Sequence, residues 1–110
     1  MPWLHYVAYF FGGLFCANSI PHLVSGMMGR AFQSPFAKPP GKGLSSSTVN
    51  VLWGAFSVAA GYGLIFHVGT FDLRDPAHAA AAGAGALVIA LYSARNFGRL
   101  HGGNSPAGQS

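Results

Sequence analysis

Three long apolar runs, separated by polar or charged segments, set the pattern of the chain. They cover about residues 3–29, 48–70 and 76–94. At about 1.5 Å of rise per residue, about 20 helical residues cross the hydrocarbon core of a bilayer, which is about 30 Å thick. The pattern predicts an all-α membrane protein: three transmembrane helices in one domain, residues 1–100, with a flexible polar tail, residues 101–110.

Two of the predicted helices have recognisable starts. Ser46 or Ser47 precedes the second run, and Asp75 is followed by Pro76 at the start of the third. Serine and aspartate side chains accept hydrogen bonds from the free N–H groups of a first helical turn, and proline fits the first helical position. Pro21 falls inside the first run, where its missing N–H frees one carbonyl and predicts a kink.

Composition and charge agree with a membrane protein. Of the 110 residues, 51% are hydrophobic and 7% are charged, whereas an ordinary soluble domain has about 25% charged residues. Arg74 alone among the six basic residues lies in the short second loop; the others are Arg30, Lys38, Lys42, Arg95 and Arg99. The positive-inside rule then places the amino terminus outside and the carboxy terminus in the cytoplasm. Six scattered cations exclude a nucleic-acid interface.

Small residues recur along one face of each predicted helix. The three stripes are Ala8, Gly12, Cys16 and Ser19; Asn50, Gly54, Ser57 and Gly61; and Ala79, Gly83, Ala86, Ala90 and Ala94. Small side chains let helices approach closely in lipid. The stripes predict a three-helix bundle that forms a homo-oligomer or docks as an accessory subunit on a larger membrane complex.

A second stripe, on the first helix, is polar. Asn18, His22 and Ser25 recur at i, i+4 and i+7, so they share a face. Polar groups inside a membrane face the protein interior, where they bond one another or bind a ligand. With residues expected nearby, the candidate ligand-binding set is Asn18, His22, Ser25, Arg30, Asn50, Trp53, Arg95 and Asn96.

Two interpretations of this set remain open. The polar groups either satisfy one another and hold the bundle together, or they line a pocket for a small molecule, an isoprenoid or a lipid head group. In a catalytic version of the second interpretation, His22 acts as a general base or proton relay. No carboxylate lies in any of the three runs, which argues against proton-coupled transport. No catalytic residue, substrate or cofactor is predicted.

The long first loop mixes aromatic and basic residues, with Phe32, Phe36 and Leu44 placed among the cations. This composition predicts a loop on the membrane surface that contacts anionic lipid head groups. The loop does not match a phosphate-binding P-loop, because the residue after Lys42 is glycine rather than serine or threonine.

Three histidines fall near the opposite interface. His5, His67 and His78, with Asp72 and Asp75 nearby, have the donor types of a zinc site. Their spacing is not local, so we predict no metal site and keep this arrangement as an alternative.

The stretch SIPHLVSGMMGRAFQSPFAKPPGKGLSSSTVNVLWG resembles a group of small bacterial integral membrane proteins. The shared order is PH…G…PF…PG…LSS…N…WG, which covers about a third of the chain. The matching positions are Pro21, His22, Pro35, Phe36, Gly41, Asn50, Trp53 and Gly54. The resemblance implies a multi-pass protein of a bacterial inner membrane, and it brings no activity or catalytic residue with it.

Overall fold

A computed structural model describes residues 2–105 of the chain. The helices are α1 (Pro2–Met27), α2 (Ser47–Phe66) and α3 (Pro76–His101). Between α1 and α2 lies a short antiparallel hairpin of β1 (Phe32–Gln33) and β2 (Leu44–Ser45). All three helices are long and apolar enough to cross a membrane. The predicted three-helix architecture is confirmed.

Helices α2 and α3 begin at the residues that the sequence indicates. Ser46 is the N-cap of α2, and its hydroxyl accepts a hydrogen bond from the N–H of Val49 at 3.2 Å. Asp75 is the N-cap of α3, and its carboxylate accepts from the N–H of Ala77 at 2.9 Å. Each cap satisfies one of the N–H groups that a first helical turn leaves free.

Helix α3 continues beyond the predicted span of residues 76–94, to His101. Gly102 then takes a left-handed conformation with φ of 80° and ends the helix. The side-chain amide of Asn104 donates to the carbonyl of Arg95 at 3.0 Å, so the chain folds back on the helix end. The predicted flexible tail therefore starts within ordered structure, and its residues 106–110 lie outside the described part of the chain.

Helix α1 lies between α2 and α3 and makes most of the contacts between helices. The helices approach so closely that several glycines leave no free space for a Cβ atom, as two of the crossings illustrate. A Cβ atom at Gly54 would overlap the side chain of Leu23 on α1, and one at Gly85 would overlap the carbonyl of Phe10. These contacts have the close approach that small residues permit in membrane helices.

The predicted small-residue stripes agree with this packing in two helices but not in the third. Most of the α1 stripe and all of the α2 stripe are buried. On α3, however, Gly83 is exposed and nothing lies within 4 Å of its Cβ position, whereas Gly85 is buried against α1. The sequence around Gly83 contains so many alanines and glycines that several faces of α3 carry a small-residue stripe. The packed face is the one that carries Gly85, and it is marked by two larger residues, Ile89 and Asn96.

The interior of the protein is more polar than its surface. The buried polar residues are Ser19, His22, Gln33, Ser34, Asn50, Ser57 and Asn96, whereas the buried hydrophobic residues among those described are Ala8, Tyr9 and Ala37. Large apolar side chains such as Leu52, Phe56 and Leu87 point outward. A soluble protein has the opposite distribution.

The two ends of the bundle differ in charge. We name the end that carries residues 28–46 and the last turns of α3 the hairpin end, and the opposite end, with residues 67–75, the short-loop end. The hairpin end carries Arg30, Lys38, Lys42, Arg95 and Arg99. The short-loop end carries Arg74 and both carboxylates of the sequence, Asp72 and Asp75.

Candidate functional site

A buried histidine and a buried asparagine form the centre of the site at the hairpin end. His22 on α1 and Asn50 on α2 are 2% and 0% exposed. Their side chains are joined by a hydrogen bond of 2.7 Å between Nδ1 of His22 and Oδ1 of Asn50. The Asn50 amide nitrogen donates to three backbone carbonyls, those of Phe32 at 3.0 Å, Ser45 at 3.2 Å and Ser46 at 3.1 Å.

These bonds fix the position of the proton on the His22 ring. If the Asn50 amide were flipped, its oxygen would face three carbonyl oxygens, which are all acceptors. The orientation with the NH₂ group toward these carbonyls is therefore the favourable one. The Asn50 oxygen can only accept, and Nδ1 of His22 must therefore donate. In the neutral imidazole this leaves Nε2 as an acceptor. Nε2 makes no hydrogen bond to any of residues 2–105.

The hairpin closes this end of the bundle. Within it, the hydroxyls of Ser34 and Ser45 are 2.6 Å apart, and the N–H of Gly41 donates to the carbonyl of Ser34 at 2.9 Å. Gly41 has a φ of 74°, which favours glycine. Helix α3 holds the hairpin, because the Asn96 side-chain amide donates to the Gly41 carbonyl at 2.9 Å and His101 bonds Gln33 at 3.0 Å.

The predicted surface loop is thus only partly a surface feature. Phe36 and Leu44 are exposed, as expected for residues that meet head groups. Phe32 is instead packed among rings of the bundle, 5.7 Å from His22 and 4.8 Å from Phe97 between ring centroids. The hairpin therefore forms one wall of the site.

A cavity of about 250 Å³ lies between the three helices and the hairpin. Its polar lining comes from Asn18, His22, Ser34, Trp53, Ser93 and Asn96. The remaining wall is largely apolar and includes Pro35, Pro40, Ile89 and Phe97. A mainly apolar cavity with a few convergent polar groups has the usual character of a small-molecule site.

Trp53 contributes an unusual polar group next to the cavity. Its indole Nε1 is the one buried side-chain nitrogen or oxygen, among residues 2–105, without a hydrogen-bond partner. Its ring meets that of His22 edge-on, with centroids 6.3 Å apart. A buried unpaired donor costs about 1–3 kcal/mol. A small movement or a ligand that supplies an acceptor would remove this cost.

The structure brings part of the predicted site set together. Asn18, His22, Trp53 and Asn96 line the cavity, and Asn50 lies directly behind His22. The amide of Asn18 donates to the hydroxyl of Ser57 at 3.2 Å. The three other predicted residues lie outside the cavity lining: Ser25 and Arg30 line none of the described hollows, and Arg95 lines a neighbouring one.

Several residues that line the cavity are not in the set predicted from the sequence. Ile89, Tyr92 and Ser93 come from the same part of α3 as Asn96, and the helical spacing i, i+3, i+7 links Ile89 and Tyr92 to that face. This spacing places Ile89 and Tyr92 on the face of Asn96 from the sequence alone, although the predicted set does not include them. Nothing in the sequence indicates that the hairpin folds over this face, so its lining residues Ser34, Pro35, Pro40 and Gly41 had no comparable signal.

The histidines at the short-loop end do not form the alternative metal site. Within residues 2–105, no three His, Cys, Asp or Glu side chains are grouped so that they could hold a metal ion. His78 is engaged locally: its Nδ1 accepts from the N–H of Asp72 at 3.0 Å, and its Nε2 lies 3.6 Å from the Asp75 carboxylate. His67 instead packs on Tyr62, with ring centroids 5.0 Å apart.

Fold and site together define a small chain of three helices that are apolar enough to cross a membrane, with a polar interior and a hairpin-covered cavity at one end. Compared with known protein families, curated proteins and solved structures, the chain matches none.

Proposed function

We propose that the protein is a multi-pass protein of a bacterial inner membrane, with its amino terminus outside and its carboxy terminus in the cytoplasm. The support is the charge difference between the two ends, because the hairpin end carries five of the six Lys and Arg residues. Cytoplasmic segments of membrane proteins are enriched in these residues. The cavity then faces the cytoplasmic leaflet.

We further propose that the cavity binds a small, largely apolar ligand or a lipid head group. The observation that carries this proposal is Nε2 of His22, an acceptor on a ring that lines the cavity and that makes no hydrogen bond to any of residues 2–105 through this nitrogen. The ligand offers a hydrogen-bond donor, such as a hydroxyl, to this nitrogen. A volume of about 250 Å³ is slightly below the range of about 300–1,000 Å³ of drug-sized pockets. The cavity thus accepts a head group or small molecule rather than a whole lipid.

Binding is favoured over catalysis by the composition of the cavity wall. No carboxylate or thiol of residues 2–105 lines the cavity, and the hydrogen bond of His22 goes to Asn50 rather than to the lining hydroxyl of Ser34 or Ser93. Within the described residues, His22 therefore forms no nucleophile–base pair. The His22 ring is also held in one orientation by Asn50, as expected for a recognition group.

The test is native mass spectrometry of the protein released from its membrane in a mild detergent. The full chain is compared with Ser93→Leu, which fills the cavity, and with Ala84→Leu, which adds the same side chain to an exposed position of α3. We expect a retained small mass in the wild type and in Ala84→Leu, and its loss in Ser93→Leu. A wild type without any retained mass, or equal retention in both variants, would contradict the proposal.

A second candidate function is self-association, or docking to a larger membrane complex, through the outer face of α3. The support is Gly83, which lies on an exposed small-residue stripe and has open space around its Cβ position. Gly83→Leu is expected to reduce the number of copies per detergent particle, measured in the same spectra. Gly63→Leu, at a second open position on α2, is the control and should leave the copy number unchanged.

A further inference from the structure

Two arginines at the end of α3 border a second hollow, next to the cavity. Arg95 and Arg99 are four residues apart, so they lie on one face of the helix. The hollow has a volume of about 370 Å³ and is completed by Tyr92, Asn96 and Asn104. Every one of these five side chains carries an N–H or O–H donor. Such a lining suits a group that only accepts hydrogen bonds.

Within residues 2–105, neither arginine has a carboxylate partner. The only Asp and Glu side chains of the sequence, Asp72 and Asp75, lie at the short-loop end. Like charges at i and i+4 repel each other on a helix. The carboxyl end of α3 supplies a partial negative charge of about half a unit, which offsets less than one of the two guanidinium charges. The arginine pair therefore retains an excess of positive charge.

The amide side chains of the hollow keep capacity for a ligand. Asn96 donates to the Gly41 carbonyl and Asn104 to the Arg95 carbonyl, which occupies one hydrogen of each NH₂ group. Each group has a second hydrogen. These bonds also fix the amides relative to α3, so the donors are held in place before a ligand arrives.

The position along the helix matches the depth of lipid head groups. Arg95 and Arg99 are about 29 Å and 35 Å from the start of α3 at Pro76, at about 1.5 Å per residue. The hydrocarbon core is about 30 Å thick, so a helix that enters the core near Pro76 brings both guanidiniums to the opposite head-group region. Arginine forks bind phosphate oxygens with two parallel hydrogen bonds.

We infer that the hollow between Arg95 and Arg99 binds a phosphate ester, supplied by the head group of an anionic phospholipid. This site uses the membrane position proposed above. It shares Tyr92 and Asn96 with the wall of the cavity around His22, whereas Arg95 and Arg99 belong to the hollow and not to the cavity. It also differs from a diffuse attraction of the basic loop to the membrane, because Arg30, Lys38 and Lys42 do not line the hollow.

The test is native mass spectrometry of the full chain in detergent, titrated with dioleoylphosphatidylglycerol and, in parallel, with dioleoylphosphatidylcholine. The variant Arg95→Gln/Arg99→Gln is compared with Arg30→Gln/Lys42→Gln, which removes the same charge from the same end. We expect phosphatidylglycerol affinity to fall about tenfold or more in the first variant and to change less than threefold in the second. Phosphatidylcholine should bind the wild type more weakly.

Equal losses in the two double variants would overturn the site, because they would show attraction to net charge alone. An unchanged affinity in Arg95→Gln/Arg99→Gln would overturn it as well. If that variant does not fold, Arg95→Gln and Arg99→Gln are each compared with Arg30→Gln. Glycerol 3-phosphate is titrated separately: saturable binding that the arginine changes abolish supports the phosphate site and assigns it a soluble ester, whereas its absence beside bound phosphatidylglycerol assigns the lipid.

Discussion

His22 at the hairpin end and His78 at the short-loop end carry their ring protons on opposite nitrogens. Nδ1 of His22 donates to Asn50, 28 residues away on another helix. Nδ1 of His78 accepts from the backbone of Asp72, only 6 residues away, which leaves its proton on Nε2 beside Asp75. Residues of one type thus have different roles: His78 stabilises its own loop, whereas His22 joins two helices and keeps a free acceptor.

The two histidines also differ in what surrounds them: aromatic rings surround His78, whereas His22 lies beside a cavity. His78 lies among Tyr6, Tyr9 and Phe71, with ring centroids between 4.9 and 5.9 Å from its own. These rings leave no described cavity at that end. At the hairpin end, by contrast, His22 and Asn50 are hydrogen-bonded across two helices, and a cavity lies beside them. A histidine alone therefore does not indicate the candidate site, whereas a polar network between distant residues does.

The largest effect is expected for Asn50→Ala. The change removes the hydrogen-bond partner of the buried His22 ring and a donor to the part-buried carbonyls of Phe32 and Ser45. The Ser46 carbonyl keeps the backbone N–H of residue 50. Because buried unpaired groups cost about 1–3 kcal/mol each, we expect a loss of about 3 kcal/mol or more in the free energy of unfolding. Reversible unfolding in mixed dodecylsulfate micelles measures this. Asn104→Ala, an exposed amide at the same end, is the control, and equal losses in both would contradict the network.

The next effect is expected at the helix crossings. Gly85→Ala places a methyl group against the carbonyl of Phe10, and Gly54→Ala places one against the more adaptable side chain of Leu23. We expect losses of about 2–3 kcal/mol and about 1 kcal/mol, because backbone yields less than a side chain. Gly83→Ala and Gly63→Ala, at open positions, should be neutral or gain up to about 1 kcal/mol from helix propensity. Larger losses for Gly83→Ala and Gly63→Ala than for Gly85→Ala and Gly54→Ala would contradict these helix contacts.

Replacement of each histidine by alanine measures how much each end of the bundle contributes to stability. His22→Ala leaves the buried oxygen of Asn50 without a donor, so we expect a loss of about 2 kcal/mol in the same unfolding experiment. His78→Ala frees polar groups that water can reach but also removes a ring that packs on Tyr6, Tyr9 and Phe71, so we expect a smaller loss of about 1 kcal/mol. A larger loss for His78→Ala would mean that the aromatic cluster, not the polar network, determines stability.

The smallest effects are expected at the helix caps, one at each end. Ser46→Ala and Asp75→Ala each remove an acceptor for a first-turn N–H group. Loss of a cap costs about 1 kcal/mol. Thermal unfolding followed by circular dichroism should show two similar decreases, and Ser46→Asp and Asp75→Ser should restore most of each. No decrease for either alanine variant would show that the caps are dispensable in this bundle.

Sequence patterns predicted the three helices and both caps because these features depend on residues near one another in the chain. The face of α1 with Asn18 and His22, and the stripe of α2 with Asn50, were also found from helical spacing, and the structure joins His22 to Asn50. For α3, spacing favoured Gly83 over Gly85, since alanine and glycine occur on several of its faces.

The hairpin could not be predicted from local pattern. Its two strands have two residues each, too few for an alternation of apolar and polar side chains to be visible. Its stability comes from distant groups: Asn50 binds the carbonyl of Phe32, and Asn96 binds that of Gly41, 55 residues earlier. The cavity forms only when this hairpin covers the helices, so neither its volume nor the third of its wall that the hairpin supplies could be predicted from the sequence.

The central position of α1 sets an order of events during synthesis. Helix α1 emerges first, with the polar side chains of Asn18 and His22, and its neighbours follow. At about 5–20 residues per second, the 28 residues that separate His22 from Asn50 take about 1–6 s to make. For that time His22 enters the membrane without its native partner. The bundle then grows outward from its first helix, with α2 joining one side of α1 before α3 reaches the other.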